Sequence, residues 1–305
     1  MNNEPILCVG GVGGSGTRVI AMILASLGLN IGNNLNEALD NLTFTLLFKR
    51  QEILNLSNKE FNYLASIFEK SFTKNNFTNN EKESIQSLAI LDRLMHPKKW
   101  LIKIANNIIN KYDYFEKWDD KAISVSQLRN NFINKNIIGN KLPIKLEGWG
   151  WKEPNTVILL DKFYKLYPNM KYIHLIRNGL DMAFSENQNQ LKLWGPYYLK
   201  ESDFSNIHYA SLKFWCLINK KVIDIGKKMG PTKFLLINFD KLCLKPKKYL
   251  KKICRFLNIS KKVIPNLIPL IDPPSGSIGK FRKYDITIFD TEDLNYVKKL
   301  GFDIK

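Results

Sequence analysis

The sequence predicts a three-layer α/β fold, with a central parallel sheet between helices and a helical insertion after the first strand–helix unit. Three observations predict it. An apolar run, Ile6 to Val9, leads through the glycine-rich stretch Gly10 to Arg18 into the helical run Val19 to Leu24. Tyr172 to Ile176 is a continuous apolar run of the kind buried on both faces of a parallel sheet. A third strand-like run, Phe234 to Phe239, follows a long helical pattern across about 207–228 and precedes a helix at Lys245 to Leu257. At 305 residues the chain is long enough to bury a large core, and 1–305 reads as one domain with an insertion.

In chain order, residues 1–32 form strand, loop and helix, ending at Gly28-Leu29-Asn30. The loop, Gly-Gly-Val-Gly-Gly-Ser-Gly-Thr-Arg from Gly10 to Arg18, has the layout of a phosphate cradle. Glycines let successive N–H groups converge on an anion, and the helix N-terminus adds the positive end of a dipole. The loop is P-loop-like but departs from the Walker A pattern. From Gly11 the glycine spacing is met at Gly16, yet Thr17 and Arg18 stand where Lys and Ser/Thr are required. The hydroxyl that would hold Mg²⁺ is displaced, so the loop is expected to take phosphate or sulfate without a metal.

Residues about 33–145 carry helix-like patterns, such as Phe61-x-x-Leu64-x-x-x-Phe68 and Ser84 to Met95. Asn-rich stretches at 73–80 and 130–140 read as exposed connections, and no internal repeat is present. Residues 146–305 complete the sheet. Arg177 falls just past the strand 171–176, Asn178-Gly179 turns the chain, and Leu180 to Glu186 suits a helix. Ligands of open α/β sheets bind beyond the carboxyl ends of the strands, so Arg177 is expected on the same edge as the glycine loop.

The net charge of +18 invites a nucleic-acid reading. However, 39 of the 46 basic residues are Lys, spread along a chain that is also rich in Asn, and no RRM, KH or helix-turn-helix signature is present. The charge is better suited to drawing in a polyanionic ligand. Of the seven arginines, Arg18, Arg177 and Arg282 fall in suspected anion-binding loops, where a bidentate guanidinium outperforms an ammonium. Arg50, Arg93, Arg129 and Arg255 read as surface or structural. Cys8, Cys216, Cys243 and Cys254 show neither C-x-x-C nor zinc spacing and read as reduced thiols. Met1 to Pro5 runs straight into the first strand, and no apolar run approaches a membrane span. A soluble cytoplasmic, bacterial protein is expected.

The two main motifs together resemble the cofactor signatures of the sulfotransferase family, which uses 3′-phosphoadenosine 5′-phosphosulfate (PAPS). Gly13-Gly14-Ser15-Gly16-Thr17-Arg18 is similar to the family's 5′-phosphosulfate loop. Residues 173–185, from Ile173-His174-Leu175-Ile176-Arg177 to Ser185, are similar to its 3′-phosphate strand–helix motif, with the same eight-residue separation of Arg and Ser. Trp151-Lys152-Glu153-Pro154 resembles the Lys-x-Pro element, 236–257 the later strand–helix unit, and Ser277-Ile278-Gly279-Lys280-Phe281-Arg282, within about 275–284, the closing C-terminal loop. The likeness covers 5–32 and about 146–284 but not the middle. Many members carry Lys where this chain has Arg18.

The resemblance implies in-line transfer of a sulfo group from PAPS to a hydroxyl or amine, leaving adenosine 3′,5′-bisphosphate. It implies that Gly13, Gly14, Ser15, Gly16 and Thr17 hold the phosphosulfate and that Arg18 neutralises the leaving phosphate. Arg177 and Ser185, assisted by Lys280 and Arg282, would bind the 3′-phosphate, and Lys152 would approach the sulfonate. Residues 33–145 would form the substrate-side helical wall. Glu37 is the first choice for the general base and Asp40 the fallback. His174 alternates within a buried strand and reads as core; His96 and His208 have no supporting context. Trp149, Trp151, Trp194, Tyr197 and Tyr198 are candidates for stacking on adenine or an acceptor ring, although most aromatics here read as core. Two rival readings remain: a P-loop small-molecule kinase, which requires Lys at position 17 and a Mg²⁺-binding hydroxyl after it, and a non-enzymatic basic nucleic-acid binder. Carbohydrate, lipid, peptide and small-metabolite acceptors all stay open.

Overall fold

The computed structural model describes residues 5–117, 124–136, 146–271, 276 and 278–305, with the backbone alone for 132–136. Parts of the expected connection 130–140, of the insertion up to 145 and of the C-terminal loop (275 and 277) lie outside the described residues.

Strand β1 (Ile6–Gly11) enters helix α1 (Thr17–Ser26) through the glycine loop. The insertion follows, with short strands β2 (Asn34–Asn36) and β3 (Tyr114–Glu116) paired in parallel. Between them lie α2 (Leu42–Phe48), α3 (Asn58–Lys70), α4 (Asn79–Ile90) and α5 (Lys98–Ile109), and after them α6 (Val125–Asn136). The chain returns as β4 (Trp149–Lys152), α7 (Thr156–Leu166), β5 (Lys171–Ile176), α8 (Gly179–Ala183), α9 (Asn189–Trp194) and α10 (Ile207–Met229). Then come β6 (Phe234–Asn238), α11 (Phe239–Leu244), α12 (Pro246–Leu257), α13 (Ile264–Leu267) and α14 (Thr291–Lys299).

The main sheet is parallel throughout, in the order β4-β1-β5-β6. Alternate side chains of its strands enter opposite layers, as strand geometry requires. Leu7, Val9, Ile173 and Leu175 pack with α1, α12 and α13, whereas Cys8, Tyr172 and Ile176 pack with residues of α7, α8 and α10. The predicted α/β class and central parallel sheet are therefore present, with β5 at the predicted residues.

Two local expectations are corrected, and one strand is added. The added strand is β4: four residues alternating Trp, Gly, Trp and Lys carry too short an apolar pattern to mark a strand. Helix α4 starts at Asn79, not Ser84, and ends before Met95. Its start is set by a capping box in which Thr78 and Glu81 satisfy each other's orphan backbone donors, inside the Asn-rich stretch read as a connection. Helix α8 stops at Ala183 rather than Glu186. There the Gln188 amide donates to the carbonyls of Met182, Ala183 and Ser185, satisfying the helix end and its exit loop.

Arg129 and Arg93 are structural, as expected. Arg129 caps the end of α1 through the carbonyls of Ala25, Gly28 and Leu29, and Arg93 donates to those of Thr45, Leu46 and Leu88. Arg255 is exposed, and Arg50 is buried. Among the described residues the four cysteines form no disulfide, and three of them are buried. Among the described residues no helix is long and apolar enough to cross a membrane.

An aromatic cluster fastens the insertion to the sheet. Phe163 of α7 lies 5.0 Å from Trp151 of β4, 5.2 Å from both Phe48 and Phe61, and 5.8 Å from Phe44. All five rings are 2 % exposed or less, so the layer is dry. Truncating Phe163 removes partners on both sides at once. We predict that Phe163→Ala costs about 3–5 kcal/mol in urea unfolding; a cost below about 1 kcal/mol would mean that the insertion does not depend on this layer.

Candidate active site

The glycine loop owes its path to two positions. Gly14 and Gly16 have φ of +87° and +81°, a region that side chains disfavour. A Cβ at Gly16 would also sit 2.2 Å from the Phe239 ring, so the close approach of α1 to α11 requires glycine there. Gly16 provides no side-chain cap for α1, and the first turn of the helix holds no acid. The first N–H groups of any helix lack intrahelical acceptors, so this end presents uncapped donors and a positive dipole end.

Two of the expected cradle donors are engaged within the protein. The Ser15 N–H and hydroxyl both donate to the Val12 carbonyl, and Ser15 is fully buried. The Gly13 N–H donates to Gln190 Oε1 at 2.8 Å. Gly13, Gly14, Gly16, Thr17 and Arg18 line a cleft of about 630 Å³; Ser15 faces the loop interior.

Arg177 emerges from the end of β5 beside this loop, with Nη1 3.4 Å from the Gly14 carbonyl. Its Nε lies 4.0 Å from Asp240. Burial pushes the Asp240 carboxyl up to about 6 against the opposing pull of Arg177. Ser185 follows α8, half-buried, and its hydroxyl accepts from Asn187 N–H at 3.3 Å. The C-terminal loop is tied to α8 by a residue the motif reading had not singled out for this role. The Asp181 carboxylate, 1 % exposed, accepts the N–H groups of Gly279 at 2.8 Å and Phe281 at 3.0 Å. Arg282 lies over the Phe281 ring and pairs with Asp303, whose carbonyl accepts from the Asn178 amide. Lys280 sits between the two anchored N–H groups. The glycine loop, Arg177 and the 279–282 loop thus come to one edge of the sheet.

The opposite side of the cleft is built by the insertion. Lys152, 3 % exposed, donates to the Ala38 carbonyl at 2.9 Å and to the Asp40 carboxylate. Burial raises the Asp40 pKa, but the charge and hydrogen bond of Lys152 outweigh it and hold the carboxyl below its usual range. Glu153, beside them, accepts from the backbone and side chain of Asn155 and lies 4.0 Å from Lys49. Burial pushes its carboxyl up to about 7 despite Lys49. Glu37 sits 3.8 Å from Arg18, half-covered on the segment between β2 and α2, whereas its neighbours Asn36, Ala38 and Asp40 line the cleft.

His96 also lines the cleft, stacked on Trp100 at 4.8 Å, with Nε2 buried and unpartnered among the described residues. In the sequence His96 has no supporting context, and Lys49, Glu153 and Gln190 have no role of their own; these three reach the cleft from the ends of α2 and β4 and from α9. Trp149, Trp151 and Trp194 are core, Tyr198 packs on Phe214, and Tyr197 is exposed. His208 bonds the Ala183 carbonyl.

A family model described as "Sulfotransferase family" matches residues 5–262. Among solved structures, the chain is similar to the sulfotransferase domain of the Synechococcus PCC 7002 olefin synthase. The two are 15 % identical over all of this chain and 97 % of that one, with a TM-score of 0.50. The sulfotransferase domain of the curacin biosynthetic pathway is 15 % identical over the whole of both chains, with a TM-score of 0.49. Sulfotransferase STF9 from Mycobacterium avium is 12 % identical over all of this chain and 78 % of that one, with a TM-score of 0.46. At such identities the likeness concerns fold alone. No curated protein matches the sequence.

His174 is a core residue, as the alternation of β5 implied: it is fully buried, with Nε2 2.8 Å from Asn219. Burial lowers its pKa from 6.5 to about 4, only partly offset by the Asn219 bond. A folded pKa below the unfolded one means that stability is intact above 6.5 and falls as the unfolded chain takes up the proton. We predict a loss of about 1.4 kcal/mol per pH unit from this residue between pH 6.5 and 4. Comparing urea titrations of wild type and His174→Gln across that window measures it; parallel curves would rule out a neutral buried imidazole.

Proposed function

The chain belongs to the sulfotransferase family, and we propose that it moves a sulfo group from PAPS to a hydroxyl or amine without a metal ion. One observation carries this reading. An uncapped helix N-terminus follows β1, and Arg177 follows the adjacent β5, its guanidinium 3.4 Å from Gly14 of the same loop. Two anion-binding elements side by side suit a donor with two separate anionic groups.

In this reading Gly13, Gly14, Gly16, Thr17 and Arg18 face the 5′-phosphosulfate, and Ser15 holds the loop in shape from inside. Arg177, Ser185, Lys280 and Arg282 serve the 3′-phosphate, with Arg282 exchanging Asp303 for it. The donor supplies an already activated sulfo group. The acceptor oxygen or nitrogen forms a bond to sulfur as the bond from sulfur to the phosphate oxygen breaks, and Arg18 neutralises the charge growing on that oxygen. Lys152, fixed by Asp40, faces the transferred sulfonate.

The acceptor's proton goes to Glu37. Asp40 is the weaker base, because Lys152 and Asn36 already occupy its oxygens and hold its pKa down. Buried thiols at Cys8, Cys216 and Cys254 suit a reducing, cytoplasmic setting, which is part of the same proposal.

Thermal unfolding with adenosine 3′,5′-bisphosphate tests the donor site. At ~100 times its Kd the bisphosphate should add about 2.7 kcal/mol, without Mg²⁺, and Arg177→Met should remove most of that gain. A response confined to ADP with Mg²⁺ would replace this reading with a kinase. Glu37→Gln should lower turnover by about 100-fold or more while keeping the bisphosphate response; turnover that survives would move the base elsewhere.

A further inference from the structure

A second pocket, of about 90 Å³, adjoins the cleft and shares Lys49 and His96 with it. Its walls also carry Arg50, Gln51, Glu52, Asp92 and Arg93. That volume holds several water-sized spheres. Its charge is out of balance in a specific way.

Both guanidiniums are fixed mainly by main-chain carbonyls. Arg50, 8 % exposed, donates through Nε to Leu47. Arg93 donates through both terminal nitrogens to Thr45, Leu46 and Leu88, and its Nε is a buried donor with no hydrogen-bond partner among the described residues. Carbonyl oxygens satisfy donors but bring no net charge. The pocket's acids compensate weakly: Glu52 lies 3.9 Å from Arg50 but its side chain is 64 % exposed, and Asp92 is exposed as well. Lys49, 4.0 Å from Glu153, adds a third cation on the cleft side.

The surrounding groups register this excess. Burial, then repulsion by Arg50, lowers the Arg93 pKa to about 10. Burial, then the charges of Lys49 and Arg93, lowers that of His96 to about 4, so the imidazole is neutral at physiological pH. Buried cations whose carboxylates lie 3.9 to 4.0 Å away, as for Arg50 and Lys49, or that are held by carbonyls alone, as Arg93 is, cost stability that a bound anion would return.

We propose that this side pocket takes an anionic group of the acceptor, a carboxylate, sulfate or phosphate, held by Arg50, Arg93 and Lys49. The acceptor is then a compound that already carries a negative charge. Its anion anchors here, and its hydroxyl or amine extends into the cleft toward the 13–18 loop. The neutral His96, at the junction of the two spaces, offers its unpartnered Nε2 to the part of the acceptor that passes between them. This inference rests on the sulfotransfer reading.

The test uses inorganic phosphate as the probe. Protein is first saturated with adenosine 3′,5′-bisphosphate, so the donor site is filled, and is then titrated with phosphate against sodium chloride of equal ionic strength. Wild type should show a further, saturable rise in Tm beyond the chloride control. Arg50→Gln should weaken phosphate binding at least ten-fold while its response to the bisphosphate stays as in wild type, which also shows that the variant is folded. Arg50→Lys, which keeps the charge, should retain most of the phosphate binding. A wild type that responds to the bisphosphate but not to phosphate overturns the inference and leaves the donor-site reading standing. So does an Arg50→Gln variant that binds phosphate as wild type does, because the anion then sits elsewhere. No response to the bisphosphate overturns the donor-site reading and this inference with it.

Discussion

Parallel pairing of β1 with β4 on one side and β5 on the other is the constraint on which the site depends. The register sets Val9 opposite Lys152 and Gly11 opposite Leu175. Parallel strands end at the same edge, so the glycine loop, the Lys152-Glu153 segment and Arg177 all leave the sheet together. The chain moves from β1 to β4 on one side and then crosses to β5 on the other. The crossovers therefore diverge over the end of β1, which opens the crevice where α/β sheets bind ligands. No side chain has to reach far: Arg177 touches the Gly14 carbonyl because its strand lies next to that of the loop.

The ionic groups around that crevice fall into two kinds. Lys152 is buried and locked to the partly buried Asp40, and removing either would leave a charge or donor stranded in a poorly solvated place. Such a pair positions an ammonium but is not free to travel. Arg18, with a side chain 46 % exposed and 3.8 Å from Glu37, is held loosely, as exposed ion pairs are. It can exchange a carboxylate for a phosphate at little cost. Arg282 and Asp303 make a second exposed pair of this type. The fixed cation thus lines the cleft, and the exchangeable ones, Arg18 and Arg282, keep exposed partners.

The insertion supplies the other half. Its helices are held by the aromatic layer of Phe44, Phe48, Phe61, Trp151 and Phe163, which joins α2 and α3 to β4 and α7. Packing of this kind is stiff. It fixes where α2 ends, and with it Lys49, Arg50 and the carbonyls that Arg93 caps. The sheet edge therefore places the glycine loop and Arg177, whereas the end of one short helix places Lys49 and Arg50.

The sequence by itself determined those parts of the protein that local physics specifies. A continuous apolar run located β5 to within a residue, glycines followed by a helical run located the loop, and the turn at Asn178-Gly179 put Arg177 at a strand end. The resemblance to sulfotransferases rested on these same motifs, and the family match covers them. The tertiary structure decided whatever depends on partners distant in the chain. Strand β4 exists because Trp149 to Lys152 pairs with β1, not because four residues specify a strand. Asp181 anchors a loop 98 and 100 residues away, and Gln190 occupies the Gly13 donor across 177 residues. The cationic pocket of Lys49, Arg50 and Arg93 has no sequence signature, since its imbalance lies in which oxygens the arginines find. A residue's type and spacing fix its conformation and its charge, but only packing fixes whether that charge has a partner.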